Sequence, residues 1–183
     1  MEKRDNIIIR KAKETDSFGL TTVHIKSWRK TYDGIIPKEY LDNLSFEHRE
    51  AKWREVLSAN DRIHLVYVAV NGNKEIVGFA KGGSERDGNP DYKGELYGIY
   101  ILNEYQRRSI GRQLMSRVAG NLSKLGFNSM LVWVLAGNQG AMGFYESLGG
   151  RKIDERYISL GEARLLEYAY GWENTREMIR MGK

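Results

Sequence analysis

The chain has 183 residues, a formal net charge of +5 and no cysteine. This length fits one domain with a sizeable core, so we expect residues 1–183 to form a single domain, with a core at about 7–170 and a tail at 171–183. The missing cysteines exclude disulfides, a thiolate zinc site and a cysteine acyl-enzyme. No apolar run is long enough to cross a bilayer and the charged start is unlike a signal peptide, which predicts a cytoplasmic protein without membrane contact.

The first half of the chain predicts a strand, three helices and a hairpin. Residues 6–11 are rich in β-branched side chains, and Asp16 and Ser45 can cap helices that start directly after them. Pro37 suits the first turn of a short helix between these two. The expected bounds are 17–32 and 46–59 for the capped helices, and 63–70 and 75–82 for two strands joined by a turn at 71–73.

The second half predicts alternating strands and helices, followed by a closing hairpin. A polar loop at 82–93 precedes a strand at 96–102, and a later apolar run at 130–135 has the pattern of a strand buried on both faces. Asn138 can start a short helix, and Gly126 can end the helix before it. That helix has one apolar face, formed by Ile110, Leu114, Val118, Leu122 and Leu125. Strands at 153–160 and 164–170, with a turn near Gly161, end the predicted fold.

Residues 94–112, GELYGIYILNEYQRRSIGR, place a strand, a basic turn and a helix in direct succession. A helix that starts after such a turn directs unpaired N–H groups and the positive end of its dipole at the turn, which favours an anion such as a diphosphate. The chain lacks the glycine patterns of the common nucleotide triphosphate and dinucleotide loops. Elsewhere, basic and acidic residues are interleaved, so we expect no nucleic-acid partner despite the net charge. The densest cationic group is Arg107, Arg108 and Arg112.

Two motifs resemble those of the GNAT superfamily of N-acetyltransferases. Residues 106–111, QRRSIG, resemble its acyl-CoA signature Gln/Arg-x-x-Gly-x-Gly/Ala, with Ser109 in place of the first glycine. Residues 138–149 resemble its second motif, N-x-x-A-x-x-F-Y-x-x-x-G. The resemblance implies an α/β (α+β) single-domain fold: a mixed central sheet of about six to seven strands, flanked by helices, with a splayed strand pair for CoA. It also implies a transferase that uses acetyl-CoA as co-substrate. His48 and His64 are far from matching acidic residues in the sequence pattern, so we expect no metal site.

The resemblance further implies where acetyl-CoA binds. The pantetheine arm would hydrogen-bond to the motif strand as an additional strand, and the diphosphate would lie on the N–H groups of the turn. The residues expected to contact the cofactor are Ile99, Tyr100, Ile101, Gln106, Arg107, Arg108, Ser109, Ile110, Gly111, Arg112, Asn138, Phe144 and Tyr145.

Two residues are candidates for the catalytic chemistry, which would be direct attack of an amine on the thioester in a ternary complex. Glu95, at the head of the motif strand, matches the position of the catalytic glutamate in many family members; a water relay as base, or a merely solvated acid, is the alternative. Tyr145 aligns with the motif tyrosine, and a phenol with a pKa near 10 can protonate the leaving thiolate. The strand N–H near Ile99 would stabilise the oxyanion.

The amine acceptor is left open between a small amine, an antibiotic, a peptide N-terminus and a protein lysine. On the first helix His24, Trp28 and Tyr32 share one face, and the resemblance implies that Trp28, Tyr32 and Ile35 lie near the acceptor. Aromatic residues at this spacing are more often core, and His24 is expected to be a partly buried group rather than a base. A non-catalytic acyl-CoA-binding regulatory domain is the alternative function. A homodimer, or a helical or disordered tail, also stays open.

Overall fold

A computed structural model describes residues 6–59 and 63–181 of the chain. Two short 3₁₀ turns, Glu14–Asp16 and Asn103–Tyr105, supplement the regular elements. The strands are β1 (Ile8–Lys11), β2 (Leu65–Val70), β3 (Ile76–Ser84), β4 (Gly94–Ile101), β5 (Met130–Leu135), β6 (Arg151–Leu160) and β7 (Ala163–Trp172). The helices are α1 (Ser17–Thr31), α2 (Lys38–Asp42), α3 (Phe46–Ser58), α4 (Ile110–Lys124), α5 (Gln139–Ser147) and α6 (Thr175–Met181).

The strands form one mixed sheet in the order β1-β2-β3-β4-β5-β7-β6. Only the β4–β5 pair is parallel, and the other pairs between described strands are antiparallel. Helix α4 packs on one face through Leu114, Val118 and Leu122, while α1 and α3 cover part of the other through Leu20 and Trp53. This seven-stranded sheet flanked by helices confirms the fold class predicted from the sequence.

Strands β4 and β5 separate soon after they begin to pair. Their register runs from Gly94 opposite Met130 only as far as Leu96 opposite Val132, although both strands continue beyond these residues. Because β5 offers no partner past Leu96, one edge of β4 is left open between the two strands. The predicted splayed pair is therefore present.

A β-bulge interrupts β4 where this separation starts. Gly82 lies opposite Leu96 and Lys81 lies opposite Gly98, so β4 contains one residue more than β3 over this interval, namely Tyr97. Such a bulge bends the strand and redirects the side chains that follow it.

Local capping signals gave three correct helix starts, but only two of the three side-chain caps form. The Ser45 side chain accepts the His48 N–H at 3.1 Å, and the Asn138 side chain accepts the Ala141 N–H at 3.1 Å, as predicted. Asp16, by contrast, makes no side-chain cap on α1. Its carboxylate instead binds the Lys13 N–H and the guanidinium of Arg10, because this ion pair takes up both oxygens.

The remaining differences from the predicted elements concern their ends. The turn between β2 and β3 places Lys74, rather than one of residues 71–73, in the left-handed region with φ 67°. Strand β3 extends to Ser84 and the closing hairpin extends to Trp172, so both are longer than expected. The tail forms α6, whose Met178 is buried and whose Ile179 carbonyl accepts a hydrogen bond from Ser116 on α4.

Candidate active site

A cavity of about 580 Å³, which we call the cleft cavity, lies where β4 and β5 separate. Its walls come from the end of α1, β4, the turn before α4, the first turn of α4, β5 and α5. All the residues expected to contact a cofactor line it except Arg108 and Ile110. The structure thus brings together Ile99, Tyr100, Ile101, Gln106, Arg107, Ser109, Gly111, Arg112, Asn138, Phe144 and Tyr145.

The two exceptions have other surroundings. Ile110 is 1% exposed and belongs to the core under α4. Arg108 is exposed, and its guanidinium lies 5.2 Å from the centroid of the Tyr105 ring. Their side chains therefore do not contribute to the wall of the cleft cavity, although both belong to the same turn.

The turn before α4 has an unusual backbone for its residue types. Arg107 and Ser109 both adopt left-handed conformations, with φ of 59° and 62°. Ser109 is the N-cap residue of α4, yet its hydroxyl makes no capping hydrogen bond. The first N–H groups of α4 are thus left for a ligand, and alternation of backbone handedness in such a turn forms a concave anion site. Arg107 and Arg112 add positive charge to this part of the wall.

Helix α5 forms the part of the cleft-cavity wall that adjoins the start of α4. A Cβ atom at Gly111 would lie 3.2 Å from the Phe144 ring, so the glycine allows α4 to approach α5 closely. Tyr145 follows on α5 and is only 4% exposed. Burial raises the pKa of the Tyr145 phenol above its usual value. It is therefore protonated at neutral pH and can donate a hydrogen bond or a proton into the cavity.

Glu95 lies outside the walls of the cleft cavity. It is fully buried, and its carboxylate accepts hydrogen bonds from the Arg86 backbone N–H at 3.2 Å and from Nε at 3.0 Å. A third contact joins its other oxygen to Nη2 of Arg86. The carboxylate thus fixes the loop between β3 and β4, and its role as a catalytic base stays a prediction.

A second cavity of about 480 Å³, which we call the aromatic cavity, lies on the α1 and α3 side of β4. The two cavities share three wall residues, Tyr97, Gly98 and Tyr100. A Cβ atom at Gly98 would lie 2.8 Å from the Tyr100 ring, so the absence of a side chain keeps this junction clear. The other described wall residues are His24, Trp28, Arg49, Lys52, Trp53, Glu55, Val56, Ala59, His64, Phe79 and Lys81.

Stacked rings hold the wall of the aromatic cavity in place. The His24 and Tyr100 rings stack with centroids 5.2 Å apart, and Trp53 meets Phe79 edge to face at 5.1 Å. Burial, aided by the charges of Arg49 and Lys81, lowers the pKa of His24 to about 3. His24 is therefore neutral at pH 7.

The three residues predicted to lie near the acceptor pack in one cluster, in which the Trp28 and Tyr32 rings meet edge to face at 5.1 Å, but they do not line the same cavity. Trp28 lines the aromatic cavity, whereas Tyr32 lines the cleft cavity with its hydroxyl 3.4 Å from that of Tyr100. Ile35 lines neither of these cavities and instead packs against Gly137. The site residues missed by sequence reasoning include Trp53 and Lys81, which come from elements without a recognisable motif. Gly98 was also missed, although a glycine inside a strand is itself a signal of close approach.

Within residues 6–59 and 63–181, no three histidine or acidic side chains are grouped so as to hold a metal ion. No helix of the described chain is long and apolar enough to span a membrane.

Sequence comparison matches residues 25–150 to the model of the acetyltransferase (GNAT) family. The chain is 36% identical over 166 residues to the uncharacterized N-acetyltransferase YuaI of Bacillus subtilis, which covers 91% of this chain and 92% of the relative. It is also 25% identical over 152 residues to the spermidine N(1)-acetyltransferase of Thermoplasma acidophilum, covering 82% and 91% of the two chains.

Solved structures share the fold. The PaiA N-acetyltransferase of T. acidophilum in complex with coenzyme A is 24% identical, with a TM-score of 0.71 over 88% of this chain and 98% of that one. The putative acetyltransferase yncA of Salmonella typhimurium, solved with acetyl-CoA, is 20% identical, with a TM-score of 0.66 over 91% and 93% of the chains.

Proposed function

The chain belongs to the GNAT acetyltransferase family, and from this membership we propose that it transfers the acetyl group of acetyl-CoA directly to an amine within a ternary complex. One observation carries the proposal: two cavities of different character meet at Tyr97, Gly98 and Tyr100, with the Tyr145 phenol in the cleft cavity. A cofactor in one cavity and an acceptor in the other would meet without a covalent enzyme intermediate.

The cleft cavity is the proposed site of acetyl-CoA, which supplies the acetyl thioester. The edge of β4 that β5 leaves open past Leu96 can pair with an extended pantetheine arm. The turn with Arg107 and Ser109 would hold the diphosphate through backbone N–H groups. This arrangement would bring the thioester to the shared wall near Gly98, where the N–H near Ile99 can stabilise the oxyanion.

Two proton transfers are needed: the attacking amine must lose a proton, and the departing thiolate must gain one. A lysine-like amine is protonated at pH 7, so forming its free base costs about 4 to 5 kcal/mol. A water relay in the aromatic cavity is one acceptor for that proton. Glu95 is the other, and it requires a bridging water or release from Arg86, since its oxygens face that guanidinium. Tyr145 would then protonate the departing thiolate.

The test is the pair of variants Tyr145→Phe and Tyr67→Phe, assayed for thiol release from acetyl-CoA with a panel of amines. We expect Tyr145→Phe to lower kcat about 100-fold or more, because it removes the proton donor, while the Kd of CoA measured by calorimetry stays within about twofold. Tyr67→Phe controls for the loss of a hydroxyl. The Tyr67 phenol accepts a hydrogen bond from the Asn121 side chain, and Tyr67 lines neither cavity.

The alternative function is a regulatory domain that binds acyl-CoA without turnover. It is favoured by one observation, the engagement of the candidate base Glu95 with Arg86. Saturable CoA binding with no acetylation of any amine would support this alternative. If Tyr145→Phe turns over at an unchanged rate, the protein is still an acetyltransferase, but the Tyr145 phenol is not its general acid.

A further inference from the structure

We propose that the acceptor of this enzyme is a primary amine that carries a carboxylate beside an apolar body, such as an apolar amino acid, and is not a polyamine. This inference rests on the proposed function, since it assigns the acceptor to the aromatic cavity. Three features of that cavity support it: the charge of its wall, its hydrogen-bonding groups and its aromatic surface.

The described wall residues of the aromatic cavity carry a net positive charge. Arg49, Lys52 and Lys81 line it, and Glu55 is the single carboxylate among its described wall residues. None of the three cations forms an ion pair with a described residue. A ligand with an anionic group would therefore meet cations that are not already neutralised by a carboxylate.

Lys81 is the cation best placed to bind such a group. The residue is half-buried, and its ammonium lies 5.8 Å from the centroid of the Trp53 ring and 5.7 Å from that of Tyr97. Burial and the nearby Arg86 lower the pKa of Lys81. A cation held between rings without a counter-ion is costly, and a bound carboxylate would offset this cost.

The hydrogen-bonding capacity of the charged wall groups favours the same chemistry. An ammonium and a guanidinium can only donate hydrogen bonds. Among the charged side chains of the described wall, Arg49, Lys52 and Lys81 are therefore donors and Glu55 is an acceptor. This set favours a ligand with oxygen atoms that can receive those hydrogen bonds.

The rest of the wall favours a compact apolar body. His24 is neutral, and with Trp28, Phe79 and Tyr100 it contributes ring surface. A volume of about 480 Å³ lies within the range of small-molecule sites. An apolar amino acid would therefore present its side chain to the rings and its carboxylate to Lys81.

The same positive field disfavours a polyamine. Spermidine is the substrate named for a relative that is 25% identical to this chain. Its additional ammonium groups would lie beside Lys81 and Arg49, where like charges repel. For an acceptor with a single amine, this field lowers the pKa of the ammonium and so assists formation of the free base.

The first experiment compares kcat/KM for matched amines in the full-length enzyme with acetyl-CoA. The pairs are L-phenylalanine with phenethylamine and L-leucine with 3-methylbutylamine, and spermidine is the polycation. We expect each carboxylate to raise kcat/KM about tenfold or more, with spermidine the poorest substrate. Lys81→Met should remove the preference, Lys81→Arg should retain it, and Lys124→Met, a change of an exposed lysine on α4, should leave it unaltered.

A second experiment does not depend on turnover. With CoA present, calorimetry should show that N-acetyl-L-phenylalanine binds about tenfold more tightly than N-acetylphenethylamine, and that Lys81→Met abolishes the difference. Equal binding of the two compounds, or an unchanged difference in Lys81→Met, would overturn the assignment even if the enzyme acetylates amines. Carboxylate-selective binding without acetylation of any amine would instead retain the assignment and contradict the proposed function.

Discussion

The cleft cavity and the aromatic cavity share three residues of β4 but differ in what forms them. The cleft cavity offers backbone groups: the open edge of β4 and the left-handed turn at Arg107 and Ser109. The aromatic cavity is enclosed by side chains from α1, α3, β3 and β4. Binding through backbone groups tolerates changes of the side chains along the turn, whereas binding through side chains depends on which residues form the wall.

This difference predicts how the two regions respond to substitution. Changes to side chains around the aromatic cavity should cost stability, because these groups support one another through buried contacts. Changes to side chains of the turn should have small effects as long as the backbone path is kept. Three predictions test this contrast.

The largest effect is expected for Arg86→Met. This change leaves the buried Glu95 carboxylate with the backbone N–H of residue 86 but without a cationic partner, and it removes the guanidinium that lies 4.3 Å from the Tyr97 ring centroid. We expect the free energy of unfolding, measured in urea at pH 7, to fall by about 3 to 5 kcal/mol. Arg54→Met is the control, because Arg54 is an exposed helix cation paired with Glu50, and its loss should cost about 0.5 kcal/mol or less. Equal losses of unfolding free energy in Arg86→Met and Arg54→Met would mean that the pair of Arg86 and Glu95 does not stabilise this region.

The next effect is a dependence of stability on pH that arises from His24. Its pKa is about 3 in the folded protein and about 6.5 in the unfolded chain, so the folded state favours the neutral ring. The contribution of the neutral His24 ring to the free energy of unfolding is complete above pH 6.5 and is lost as the pH falls from there toward 3. Between pH 7 and 4.5 the protein should therefore lose about 3 kcal/mol more stability than His24→Phe.

Urea unfolding of both proteins across this pH range measures the difference. His48→Gln, which changes an exposed histidine on α3, controls for loss of an imidazole. Parallel stability curves for the protein and His24→Phe would show that His24 is not held neutral by its burial.

The smallest effect is expected for Ser109→Gly in the turn. Glycine adopts the left-handed conformation without a Cβ penalty, so stability should rise by about 0.5 to 1 kcal/mol. The Kd of CoA should change by less than about threefold if backbone N–H groups hold the diphosphate. Lys74→Gly, another left-handed position, is the control and should stabilise without any change in CoA affinity. A large loss of affinity in Ser109→Gly alone would show that the hydroxyl binds the ligand, and would remove the contrast between the two cavities.

The sequence predicted the fold best where structure is determined by neighbouring residues. The bounds of β5, Met130–Leu135, and the caps at Ser45 and Asn138 follow from local pattern and agree with the structure. The predicted side-chain cap at Asp16 was wrong because Arg10 competes for its carboxylate. This contact depends on the arrangement of β1 beside α1.

The same distinction applies to the candidate site. The turn that lines the cleft cavity is one continuous segment, so its motif could be recognised even with Ser109 in place of glycine. Trp53 and Lys81 reach the aromatic cavity from α3 and β3, and only the folded sheet brings them together. For Glu95, the motif predicted its place on the strand but could not show that Arg86, nine residues earlier, occupies its oxygens.

The additional residue in β4 has a consequence for both sites at once. In an uninterrupted strand, alternate side chains would keep Leu96 and Tyr100 on the same face of the sheet. Here Leu96 shares the core under α4 with the odd-numbered Ile99 and Ile101, while Tyr100 joins the cluster on the α1 and α3 side. The insertion of Tyr97 thus reverses the parity of the strand. If Tyr97 were instead paired in a regular ladder, the two faces would be exchanged from Gly98 onward and the Tyr100 ring would turn away from His24, so a single step in register determines which side chains each face of the sheet presents.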